Sequence, residues 1–174
     1  MQKVKIPISI EPAKAGMKQM TYDGMIVKGS FARLSDVATV LNDEVDVLIK
    51  CELDEQGLVI IKGQASATLE VDCQRCGDGL RTEVSTEFLY TPVDPHGKPS
   101  DEPIPEAYDE IELDEMGSVN LVHLVEDELM LALPIVAMHE PEDCTVTEAD
   151  MVFGELAPEA LEQEKSNPFD ILKK

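Results

Sequence analysis

Cys73-Gln74-Arg75-Cys76 is the stretch of this chain best suited to chemistry. A Cys-x-x-Cys at a tight turn points both sulfurs to one side, and two thiolates about 2.3 Å from a shared ion make half of a tetrahedral zinc site. Two more donors are needed. The other cysteines and histidines are Cys51, His96, His123, His139 and Cys144. Of these, His139 and Cys144 have the spacing of a second ligand pair, just beyond a helix end at Pro134. The expected metal ligands are therefore Cys73, Cys76, His139 and Cys144, with zinc as the cofactor. The competing reading makes Cys73 a small core residue and Cys76 a turn residue. A redox role would need a thiolate at a helix N-terminus in a βαβ setting, whereas the flanks here read as strands. Arg75 would favour the thiolate, and Asp72 and Asp78 would oppose it.

No other constellation points to catalysis. His123 falls in the first turn of a helix close to its apolar stripe, reads as a partly buried helix residue, and forms no triad with any hydroxyl or thiol. Glycine-rich phosphate loops are missing, and no carboxylate pair stands out from the general excess of acid. The chain is expected not to be an enzyme.

The elements that must position the Cys-x-x-Cys are legible from period. Val45, Val47, Ile49, Cys51 and Leu53 alternate with polar residues, Asp54-Glu55-Gln56-Gly57 turns the chain, and Ala65, Ala67, Leu69, Val71 and Cys73 alternate in the next strand. A second turn at Gly77-Asp78-Gly79 leads into Leu80, Val84, Phe88 and Tyr90. Three strands joined by short turns predict an antiparallel meander with the Cys-x-x-Cys at the tip of its second hairpin. Val4 to Ile10 reads as an edge strand containing Pro7. Phe31, Leu34, Val37, Ala38 and Leu41 recur at helical spacing behind Ser30, and Asn120 caps a helix carrying Leu121, Leu124, Val125 and Leu129 that Pro134 ends. In that helix Glu126 and Asp127 read as facing water. The expected fold is α+β: an antiparallel sheet, curled toward a barrel, covered by two main helices at 31–41 and 121–133. One domain over 1–139 includes a Pro-rich loop at 91–109, and 140–174 forms an acidic, partly disordered tail.

Charge narrows the partners. Residues 101–174 hold 3 Lys+Arg against 21 Asp+Glu, so -18 of the net charge of -22 lies there. Such a polyanion is repelled by phosphate backbones and anionic lipid and attracts cationic partners. The expected partner is a basic protein, engaged by Glu126, Asp127 and Glu128 and by Phe153, Phe169 and Leu172 in apolar islands of the tail. The alternative is an RNA-binding module whose Lys62, Arg75 and Arg81 form a patch at the hairpin tip. The opening residues contain no apolar run of about 7–15 residues, so no signal peptide is expected and the expected location is the cytoplasm. No stretch is long enough to span a membrane.

Several stretches together resemble the YceD family, the large ribosomal RNA subunit accumulation proteins. They are Met1-Gln2-Lys3-Val4-Lys5, Cys73-Gln74-Arg75-Cys76-Gly77, Pro105-Glu106-Ala107-Tyr108, Val125-Glu126-Asp127-Glu128 with Leu131-Ala132-Leu133-Pro134, Asp150-Met151-Val152-Phe153-Gly154-Glu155-Leu156, and Asn167-Pro168-Phe169. The likeness runs over nearly the whole chain. It implies a bacterial cytoplasmic factor that supports accumulation of large-subunit ribosomal RNA, hence ribosome biogenesis, with no known catalytic residues; joined to the charge, it makes the expected partner a basic ribosomal protein or a pre-large-subunit particle. Many relatives carry a cysteine-rich segment after the Leu-Pro helix end. Here His139 stands where a cysteine is common, as either a substituted ligand or the mark of a lost site.

Overall fold

The structure, a computed structural model, describes residues 4–95, 104–147, 150 and 154. Its frame is the meander that the alternation predicts: β5 (Glu44–Leu53), β6 (Val59–Asp72) and β7 (Gly79–Val93). β6 and β7 pair without interruption from Ile61 opposite Tyr90 to Asp72 opposite Gly79. Such length follows from strict alternation: Ile61, Ala65, Ala67 and Leu69 all turn to one face and are buried there, so a slip of one residue would expose the whole set. Gly63 interrupts that row for a packing reason. A Cβ there would sit 2.5 Å from Cζ of Phe88 and 2.8 Å from the Leu48 carbonyl oxygen. The missing side chain is the socket for the Phe88 ring.

The sheet is mixed rather than purely antiparallel, and it stays open. β3 (Thr21–Val27) lies antiparallel to β5, and β1 (Val4–Lys5) then joins β3 in parallel. At the other side β8 (Asp109–Glu112) runs parallel to the end of β7. The order is β1-β3-β5-β6-β7-β8, with β4 (Thr39–Val40) also pairing β6. The two outer strands do not meet, so the expected barrel does not close. Pro7 breaks the first predicted strand in two, because it has no N–H to give a ladder. β2 (Ser9–Ile10) leaves to pair with β9 (Val119–Asn120).

Of the two predicted helices, one stands. α3 (Leu121–Leu131) is capped as expected: the Asn120 side chain accepts hydrogen bonds from the backbone N–H groups of Val122 and His123, each at 3.0 Å. Leu121, Leu124, Val125 and Leu129 are buried and close the core over the sheet. The helix expected over 31–41 is instead a 3-10 turn at Lys28–Ser30 and one turn of helix, α2 (Leu34–Val37). Beyond it Thr39 and Val40 pair with Glu70 and Leu69, and sheet hydrogen bonds outweigh the apolar spacing. The pattern missed a third helix, α1 (Pro12–Met17), which begins on Pro12 and packs against the β5–β6 end. The predicted loop 91–109 gives its ends to strands: Thr91 to Val93 complete β7 and Asp109 begins β8. Residues 96–103 of it lie outside the described residues. Among the described residues no helix is long and apolar enough to cross a membrane.

Candidate metal centre

The β6–β7 hairpin delivers Cys73 and Cys76 at its tip through a tight knuckle. The Cys73 N–H donates to the Asp78 carbonyl and the Gly77 N–H to the Cys73 carbonyl, both at 2.8 Å. Gly77 sits at φ +80°, a conformation that glycine adopts without steric penalty. Past α3, Pro134 releases the chain into an extended strap that crosses this tip. Gln74 holds it, donating from its backbone N–H to the Ala137 carbonyl at 2.8 Å and from Nε2 to the Ile135 carbonyl at 3.1 Å. Ala137 is buried at this contact, but Ile135 is 95% exposed and Val136 56%, so polar atoms do most of the fastening.

The strap and the residues after it bring His139 and Cys144 to the knuckle. One ligand atom from each of Cys73, Cys76, His139 and Cys144 lies within 4.8 Å of every other. The sulfur of Cys76 is 3.4 Å from Nδ1 of His139, close to the roughly 3.5–3.8 Å edge of a tetrahedron built on zinc-ligand distances. The other ring nitrogen, Nε2, lies 3.2 Å from the Gly79 carbonyl oxygen, which can only accept. Nε2 therefore carries the proton, and the Nδ1 lone pair faces the thiols, the arrangement in which a histidine binds a metal. The donor set fits a four-coordinate thiolate-rich ion. Of the four, Cys73 and Cys144 are buried while Cys76 and His139 are half-buried.

Local electrostatics prepare Cys73 to be a thiolate. Burial opposes its charge, but the N–H groups of Cys76, His139 and Arg75, together with the Cys76 thiol, outweigh burial and lower its pKa to about 5. The neighbouring Cys76 and Cys73 raise the pKa of His139. Cys144 moves up: the Val146 N–H lowers its pKa, but burial and the two facing thiols prevail. Thr145 ties this last segment to the turn through Asp78 at 2.8 Å, so the first residues of the stretch read as a tail are fastened to the sheet.

The remaining candidates are scattered. Cys51 is buried in the core, where burial pushes its thiol up to about 11. His123 is exposed rather than partly buried, and His96 lies outside the described residues. Glu126 does not face water: it is 1% exposed and its carboxylate accepts hydrogen bonds from the Leu34 N–H and Arg33 Nε, each at 3.0 Å. Glu128 is also buried and accepts from Tyr90 at 2.6 Å and Thr86 at 2.7 Å. Only Asp127 of the three is half exposed, and it pairs with Arg33 at 2.5 Å. Phe153, Phe169 and Leu172 lie outside the described residues. The basic patch does not converge either: Lys62 pairs with Glu52 and sits ten strand residues from Asp72 at the tip, about 33 Å away at 3.3 Å per residue.

Comparison with known proteins agrees with the likeness read from the motifs. The model of the YceD family, described as large ribosomal RNA subunit accumulation protein YceD, matches residues 61–174. The large ribosomal RNA subunit accumulation protein YceD of Haemophilus influenzae is 39% identical over 173 residues, covering 99% of this chain and 97% of its own. The chain belongs to the YceD family. No solved structure matches it. The YceD family model spans both halves of the Cys3His cluster, from the β6–β7 hairpin to Cys144.

Proposed function

We propose that this protein is a non-enzymatic ribosome biogenesis factor of the bacterial cytoplasm that supports accumulation of large-subunit ribosomal RNA. In this reading it holds a basic ribosomal protein, or an assembly intermediate that displays one, through its acidic surface. The observation that carries the reading is the end-to-end similarity to a protein named for that role. Charge supports the choice of a protein over RNA. Even residues 1–100 hold 11 Lys+Arg against 15 Asp+Glu, a net charge of -4, which leaves little with which to neutralise phosphates. The test is replacement of the H. influenzae relative by this chain, with the ratio of large- to small-subunit rRNA as readout. A restored ratio supports the role, and an unchanged deficit rejects it.

The same reading gives the Cys3His cluster a structural zinc ion, held by Cys73, Cys76, His139 and Cys144. Four protein donors leave no open position for substrate, which is the pattern of a structural rather than a catalytic site. When bound, the ion would cross-link the hairpin tip to the chain that follows α3. Native mass spectrometry of the purified protein should find one zinc per chain, lost in Cys76→Ser. Zinc retained by that variant would assign the metal to other residues.

A further inference from the structure

The face of the sheet turned away from α3 is a continuous trough of carboxylates, and we infer that it is the docking site of the basic partner, which lies there as an extended segment with a cation at every second residue. This rests on the basic-partner reading given above and places that partner on the molecule. Register defines the surface. Across β3, β5, β6 and β7 one row runs Asp23, Leu48, Gln64, Glu87, and the next runs Met25, Asp46, Ser66, Ser85. A third row holds Glu44, Thr68 and Glu83. Asp23, Glu44, Asp46, Glu83 and Glu87 are all exposed.

An open depression of about 570 Å³ at the β7–β8 edge, lined also by Phe88, Ala107, Asp109 and Glu128 of α3, leads into two of about 530 and 480 Å³ that follow these rows. The first and second share Leu48, Gln64 and Glu87, and the second and third share Asp46, Ser66 and Ser85, so they form one channel. Its floor is small or neutral at Gln64, Ser66 and Ser85, and carboxylates recur in each row. The cations lining it, Lys50 and Lys62, stand at one end, and Lys62 is already paired with Glu52.

Successive rows are two residues apart along the strands, or about 6.6–6.8 Å. An extended chain repeats its own side chains on one face at that same interval. Alternating Lys or Arg would therefore meet a carboxylate at each step, whereas a block of adjacent cations would turn half of them away. A phosphate backbone would meet like charge along the channel beyond the end that Lys50 and Lys62 line.

The probe is a fluorescent peptide of about twelve residues with Lys at alternate positions, titrated with the full chain at low and raised salt. Its comparison is a peptide of the same composition with the Lys residues in one block. Asp23→Asn/Glu83→Gln/Glu87→Gln removes three charges from the channel, and Glu140→Gln/Glu142→Gln/Asp143→Asn removes three from outside it. The expected result is about tenfold weaker binding for the channel variant, under threefold for the other, and preference for the alternating peptide. Equal losses in both variants would overturn the docking site while leaving the basic-partner reading intact. No binding of either peptide by the wild type, together with no capture of large-subunit proteins, would overturn both. Tighter binding of an RNA oligomer than of the peptide at the same salt would also overturn the inference. Glu87→Lys alone, at one exposed position, serves if the triple variant does not fold, with the same direction expected.

Discussion

The two ends of the β6–β7 hairpin are built on opposite principles. Near Phe88 and Ile61 the strands lie under α3, and stability comes from buried Leu, Ile and Val. At the tip, apolar side chains such as Ile135 stand in solvent, four donor atoms are gathered, and a handful of hydrogen bonds join the strap to the turn. The base is held under all conditions that sustain a hydrophobic core, while the proposed zinc would make the hold on the tip depend on the chemistry of its donors. One hairpin can thus carry a permanent end and a conditional end.

The largest effect that would sharpen this contrast is at the base. Leu129→Ala should cost about 2–5 kcal/mol in urea unfolding, the same with or without a chelator. A chelator-dependent cost would show the two ends to be coupled and break the comparison. Glu126→Ala should cost about 1–3 kcal/mol, because it strands the Leu34 N–H in the interior. Tyr90→Phe should cost about 1 kcal/mol, since the Thr86 hydroxyl still donates to Glu128. At the tip the expected signature is local. Chelation should speed hydrogen exchange at the Gln74 and His139 amides, which donate to Ala137 and to the Cys73 sulfur, and leave β5 amides unchanged. The smallest effect separates the thiols. With its pKa pushed up to about 11 by burial, Cys51 stays protonated at pH 8, so iodoacetamide should label it in urea but not in the native protein.

The sequence spoke most clearly where short-range pattern and native contact coincide. Alternation placed β5, β6 and β7, the Asn120 cap placed α3, and Cys-x-x-Cys with His139 and Cys144 named the four residues whose donor atoms the fold gathers. It was silent where the deciding partner is distant in the chain. Glu126 looked solvent-facing because its buried acceptor role is set by Leu34, 92 residues away. The apolar spacing at 31–41 suggested a full helix, yet Phe31 is extended, and the Ser35 hydroxyl donates to its carbonyl at 2.6 Å. Thr39 and Val40 find β6 instead. The parallel pairings of β1 and β8 need long connections that no local period announces. Asp23, Asp46 and Glu87 share a surface only through strand register, which no local pattern announces.

The outermost strands have a consequence for the company this molecule keeps. β1 is two residues long and followed by Pro7, and β8 is four residues of which Asp109, Glu110 and Glu112 are acidic. Each of these two strands is by itself a poor template for a further strand, so neither rim invites another chain to lengthen the ladder there.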